Sequence, residues 1–343
     1  MTGGKANEGA APLSPAVEQL IDQYHARFVA DLDQRALVER KQIAAEAAVI
    51  WHKWGDALKF LITVEKAAVA AAGEYAEFMN GLPVGTDATK FQTLLELHGR
   101  LCRTAREVRV LLMHGYPTAA QVLLRAMYEL VVVAKFIGQR GDEVALRFRE
   151  HITIQVAKYA NLEHTITADS EWLAAGIEPA ARERHARERR ELIERYGQEF
   201  DSDYGWAAES LRPRADRDDP ERTYRPTLAD IEKAVELGDL RPLYRMLSAV
   251  VHPNGLGNLI NQVADTDGKQ QMLGHQDWGL AQPARWAMQF LHRGSVVMLS
   301  ERELHSNDER RAHVFAALVA MNQLVNQATE VFDRIDGDTV SED

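Results

Sequence analysis

A single cysteine, Cys102, occurs among 343 residues, so the chain can build neither an internal disulfide nor a thiolate metal cluster. Positive charge is in deficit: 40 Lys and Arg stand against 51 Asp and Glu, a net charge of −11. A general nucleic-acid coat protein needs a positive long-range field, although a local basic groove can coexist with an acidic total. Long apolar runs are missing. The most apolar stretch, Val122 to Ile137, is interrupted by Arg125, Glu129 and Lys135 and falls short of the ~20 residues a bilayer span requires. No charged, apolar, cleavable leader opens the chain, so a cytoplasmic protein without membrane contact is expected. Gly-rich phosphate loops and Gly-x-Ser-x-Gly elbows are absent, which removes the usual signatures of nucleotide binding and of serine hydrolysis. His-Glu-x-x-His and Glu-x-x-His pairs are absent too, and His52, His98 and His114 lack ligand spacing. No metal and no cofactor is therefore expected.

What the chain does contain is helical pattern. Hydrophobic residues make up 46% and charged residues 27%, enough apolar surface to offset the entropy of ordering in a folded domain. Strand alternation and internal repeats are not found, so the expectation is an all-α helical bundle of roughly nine to ten helices. The ends, 1–12 and 336–343, read as disordered and as a flexible tail. Ser14-Pro15 opens an N-terminal block over 13–82 as a capping side chain followed by a Pro at the first helical position. Two or three long helices are expected there, with a break at Gly55. A core block spans 86–262. Its helices are punctuated by Gly115-Tyr116-Pro117 and Gly141, with one from Asp142 to about Thr167 and another from about Glu171 to Tyr196. A long irregular connection follows over 197–226, around Trp206. Thr227 caps a short helix, and a second short helix ends at Pro253. A C-terminal pair, Pro283 to His305 and Asp308 to Ile335, makes up the block over 280–335.

Two constellations stand out chemically. In Val122-Leu-Leu-Arg125-Ala-Met-Tyr-Glu129, an Arg and a Glu sit about 40° apart on an otherwise apolar helix. Unpaired burial would cost several kcal/mol, so each needs a partner. A register-fixing ion pair and a functional site both satisfy that need. In Tyr244-x3-Ser248-x3-His252-Pro253, three polar groups recur at every fourth position, a helical stripe. Arg245 and His252 fall within roughly 20° of each other. Pro253 disfavours continuation of the helix, which places the imidazole at a C-terminal end where the dipole favours its protonated form. A protonatable His beside an Arg is what a general acid and a phosphate clamp require. A His that only caps the last carbonyls, with Tyr244 and Ser248 as satisfied core polars, explains the same pattern.

The ordered set Gly115-Tyr-Pro…Leu-Leu-Arg125-x3-Glu129, Tyr204-Gly-Trp206 and Tyr244-x3-Ser248-x3-His252-Pro253 resembles an uncharacterised all-helical bacterial family over roughly Thr86 to Leu259. That family in turn is similar in character to the HEPN helical bundles. Many of these cleave RNA without metal, usually as dimers, through an Arg separated by four to six residues from a His near a helix end. The resemblance implies a site of Arg125, Glu129, Ser248 and His252, with Tyr244 and Arg245. It also implies an RNA substrate, a homodimer, a role as toxin or in antiviral defence, and a partner protein such as an antitoxin. Arg109 to His114 and Arg285 to His292 share the spacing with Arg245 to His252, about as many matches as chance supplies. Only the middle one coincides with a Pro-terminated helix end. A non-catalytic scaffold or sensor, in which the Arg-Glu-His cluster is structural, is the competing expectation.

Two further patterns carry less. Arg182, Arg184, Arg187, Arg189, Arg190 and Arg195 alternate with glutamates, which predicts a solvated, salt-linked face rather than an RNA track. His151 and Lys158 share one helix face, where they either reach the site or form an exposed pair.

Overall fold

The computed structural model describes residues 14–80, 88–167, 178–212, 223–251, 263–264, 270–271, 275–299 and 309–340. Among them are eleven α-helices: α1 (Pro15–Ala30), α2 (Leu32–Asn80), α3 (Ala88–Met113), α4 (Pro117–Arg140), α5 (Asp142–Thr167), α6 (Pro179–Tyr196), α7 (Ala208–Leu211), α8 (Leu228–Ala234), α9 (Arg241–Val251), α10 (Ala281–Leu299) and α11 (Glu309–Val340). One short antiparallel pairing of β1 (Val263–Ala264) with β2 (Gln270–Gln271) accompanies them. The chain is an all-α helical bundle.

The principal layer is made by α2, α3, α4, α10 and α11, which pack on one another pairwise. On α2, Ile50, Trp54, Leu58 and Leu61 recur at helical spacing and are fully buried. Trp54 meets the ring of Phe332 on α11 at 5.9 Å, while Val314 and Leu318 at the other end of α11 join Ala71 and Tyr75. The two helices therefore run antiparallel. Gly55 does not break α2, contrary to expectation. A glycine inside a helix costs about 1 kcal/mol, and burial of its neighbours Trp54, Ala57 and Leu58 outweighs that. The break falls at Asp31 instead, between α1 and α2. Ser14 stands at the N-cap of α1 with Pro15 behind it, but its side chain makes no capping bond.

Helix α4 is central, touching α3, α5, α8, α9 and α10. Pro117 sets its first turn and Gly141, at φ +87°, terminates it by donating its N–H to the Ile137 carbonyl at 3.0 Å. Close approach of α10 to α3 depends on Gly294, where a Cβ would run into the Leu101 side chain. Thr227 caps α8 with a full capping box: its N–H donates to Asp230 Oδ2 at 2.7 Å, and its hydroxyl accepts from the Asp230 N–H.

The expected irregular connection after Gly197 is built from single turns, over Gln198–Asp201 and Gly205–Ala207, ahead of α7. One-turn elements carry no period, yet these are packed: Phe200 and Trp206 are buried, and Trp206 lies edge-on between Phe136 and Phe148 at 5.7 and 5.1 Å. The arginine-rich helix α6 buries only Leu192. Its salt links run outward to Asp201 from Arg189 and to Glu150 from Arg195, as well as within the helix. The last helix continues to Val340, past the Ile335 end read from the sequence.

Candidate functional site

Two stretches of chain converge where α4 meets α9. Arg125 and Glu129, one turn apart on α4, join through a 3.2 Å contact from Nε to Oε1. Tyr244 of α9 completes a triangle: its hydroxyl accepts from Arg125 Nη2 at 3.0 Å and donates to Glu129 Oε1 at 3.1 Å. The guanidinium also lies over the Tyr244 ring at 5.2 Å. The charges are not sealed, as an apolar helix had suggested; the Arg125 and Glu129 side chains keep 30% and 33% of their surface. Burial alone would lower the Arg125 pKa, but Tyr244 and Glu129 outweigh it and hold the group above its ordinary value. Among the described residues, two of its five N–H groups have partners, both in the triangle, which leaves three to meet an anion.

A second triad sits behind the first. Glu232 of α8, only 2% exposed, accepts from the Tyr128 hydroxyl at 3.0 Å and from Arg241 Nη1 at 2.6 Å. The Tyr128 and Tyr244 rings lie 5.4 Å apart, and Arg241 stacks on Tyr244 at 5.0 Å. Reading the sequence passes over Tyr128, Glu232 and Arg241. Tyr128 lies within the quoted Arg125–Glu129 segment, and Arg241 is one turn before Tyr244, so adjacency to known candidates was the available signal. Glu232 had none, because its burial is decided by packing of α8 on α4.

Glu129 also lines a cleft of about 530 Å³ formed by α3, α4, α5 and the turn at Asp203–Trp206. Arg100, His151, Gln155, Asp203 and Tyr204 provide its other polar walls, with Phe148 and Trp206 as aromatic floor. His151 is buried; its Nε2 pairs with the Ser202 carbonyl at 2.9 Å, and desolvation lowers its pKa despite that bond. Tyr204 is pushed up to about 12, by burial first and then by the nearby Glu129 and Tyr244 oxygens. Lys158, on the same helix as His151, turns instead to the Asp201 carbonyl and to Asp203 at 3.7 Å.

The remaining candidates divide. The Ser248 hydroxyl is buried without a hydrogen-bond partner, one turn beyond Tyr244. Arg245 is exposed. His252 and Pro253 lie outside the described residues, as do the residues expected to begin the helix before Glu178. Among the described residues, no three His, Cys, Asp or Glu side chains are grouped to hold a metal ion, and no helix is long and apolar enough to cross a membrane.

Glu129 carries the triangle to the edge of the cleft, and a partly exposed guanidinium and a phenol bound to that carboxylate can orient an anionic or hydroxyl-bearing ligand. The comparisons with known proteins give this arrangement a family but no chemistry. Residues 92–271, just over half of the chain, match the family of unknown function DUF5677, and the chain belongs to that family. No curated protein and no solved structure matches. The matched span contains both triads and every residue lining the cleft.

Proposed function

We propose that this protein is a HEPN-like, metal-independent RNA-cleaving protein, acting as a cytoplasmic homodimer in a toxin or antiviral role. The observation that carries the reading is the convergence of Arg125, Glu129 and Tyr244 from segments 119 residues apart, with three guanidinium donors left for a phosphate. In the reaction, the ribose 2′-oxygen attacks phosphorus and the bond to the 5′-oxygen breaks. His252 of one copy takes the 2′-proton, and the same residue of a second copy protonates the leaving oxygen. Arg125 and Arg245 offset the charge growing on the phosphoryl oxygens, and Glu129 orients Arg125. The biological role follows from likeness to the HEPN group.

A specific observation favours a second reading, a non-catalytic sensor or scaffold. Arg125 already has a carboxylate and a phenol as partners, and the chain carries a net charge of −11, which opposes phosphate at long range. His252→Ala and Arg245→Ala separate the two. The nuclease reading expects purified protein to release fragments ending in 2′,3′-cyclic phosphate, and expects either substitution to abolish this and any growth arrest without lowering the melting temperature. Unchanged behaviour of both variants, or loss of folding alone, would leave the scaffold reading standing.

A further inference from the structure

Every residue from Ser14 to Ala45 is exposed, and α1 buries none of its side chains. Yet ten of the exposed large apolar side chains among the described residues lie here, between Val17 and Ile43. Val17, Leu20, Ile21, Tyr24 and Phe28 fall within an arc of ~100° on α1, and the Tyr24 and Phe28 rings lie 6.1 Å apart on it. Positions 17, 21, 24 and 28 alternate steps of four and three, the repeat by which helices pair. Across the break at Asp31, Arg35 ties the two helices by donating from Nη2 to the Arg27 carbonyl at 3.1 Å and from its N–H to the Asp31 carbonyl at 2.9 Å. The result is a helical arm of roughly 45 Å.

A helix the length of α1, 16 residues, draws most of its stability in water from packing of an apolar face. The apolar surface left open is on the order of 1,000 Å², above the few hundred Å² of a monomer's largest patch and comparable to the ~800 Å² per partner of a stable association. Charge narrows the choice of cover. Five acidic residues face four basic ones between Ser14 and Ala45, so there is no cationic excess to hold an anionic bilayer. The acids Glu18 and Asp22 occupy the outer end, while Arg35, Arg40 and Lys41 occupy the inner end. Two copies laid antiparallel about Val29 bring Glu18 of one alongside Arg40 of the other. The same register sets Leu20 and Ile21 alongside Val38 and Leu37. A parallel pair would set the acidic outer ends side by side and the basic inner ends side by side.

We infer that Ser14–Ala45 is a dimerisation arm that pairs antiparallel with the same segment of a second copy of this chain. The inference stands on the arm alone and holds whether or not the cleft cleaves RNA. Sedimentation equilibrium of the full chain tests it, since it reads association and not cleavage. The wild type is expected to dimerise, and Ile21→Glu with Phe28→Glu to weaken dimerisation by about 100-fold or more. At a protein concentration where the wild type is itself monomeric, the thermal midpoint should be the same for both, because the arm covers none of the core. Glu18→Lys alone should weaken association, and adding Arg40→Glu should restore it, an outcome particular to the antiparallel register. A wild type that stays monomeric at about 100 µM, a dimer indifferent to the apolar pair of substitutions, or an arm that binds phosphatidylserine vesicles and not itself would each overturn the inference.

Discussion

Two polar clusters, each of three side chains and each between a pair of helices, behave as opposites. Between α3 and α10, His98 at 1% exposure pairs through Nε2 with the Ser295 hydroxyl at 2.9 Å, and Cys102 approaches His98 Nδ1 at 3.6 Å. Burial drives this imidazole down to about 4 and the thiol up to about 12. Ser295 passes its own proton to the Leu291 carbonyl at 2.7 Å. The hydroxyl is therefore an acceptor for the imidazole, and no donor is left for a ligand. Between α4 and α9, Arg125 and Glu129 remain about a third exposed, Tyr244 is only partly buried, and Glu129 opens onto a cleft. Histidine, serine and cysteine in contact do not make a reactive centre when desolvation suppresses the charged forms. Exposure together with unsatisfied donors is the more useful sign of a site.

The sealed cluster should dominate the response to acid. His98 has a folded pKa near 4, below its unfolded value of about 6.5, so the unfolded state binds the proton first. Its contribution is complete above pH 6.5 and is lost as pH falls towards 4. The loss is about 3 kcal/mol at 1.36 kcal/mol per pKa unit. His151 is shifted in the same direction. Urea midpoints measured from pH 7 to 4 should fall along this line, and His98→Asn should flatten it. An equal slope in that variant would break the contrast.

A smaller effect is expected at the rear triad. Glu232→Ala leaves the Tyr128 hydroxyl and Arg241 without their carboxylate, but Arg241 is a third exposed and water recovers part of the loss. The cost should be about 2 kcal/mol in a denaturant titration. Smaller again is Tyr244→Phe, which keeps the ring stacking and removes only the bridging hydroxyl. About 1 kcal/mol of stability should go, and on the proposed function RNA binding should weaken several-fold. A loss there as large as at Glu232 would move the front triad into the structural class. The least effect belongs to Cys102: under native conditions its suppressed thiolate should resist iodoacetamide while the denatured chain reacts readily. Fast native labelling would show that the sealed cluster opens.

Much of the bundle was legible because helical punctuation is local. Pro117, Gly141 and Thr227 stop or start helices through backbone geometry and capping that a few adjacent residues decide. Gly55 misled for the same reason: its local preference was readable, whereas the burial of Trp54 and Leu58 that overrides it was not. For the candidate site, Arg125 and Glu129 were recognisable as a pair from their spacing, and Tyr244 from its stripe. That they belong to one site was implied only by the family resemblance, and the cleft at His151 and Tyr204 was not readable, because the turn at Asp203–Trp206 has no period to read.

The sequence by itself determined an all-helical chain, its main helix boundaries, and two polar segments set in apolar surroundings, since each of these follows from interactions within a few turns of the backbone. Only tertiary structure decided that Arg125 stays at a rim while His98 is sealed, that Glu232 stands behind Tyr128, and that α1 is left without cover. Those outcomes depend on how much water each side chain loses when helices distant in sequence pack together, and no local pattern encodes that quantity.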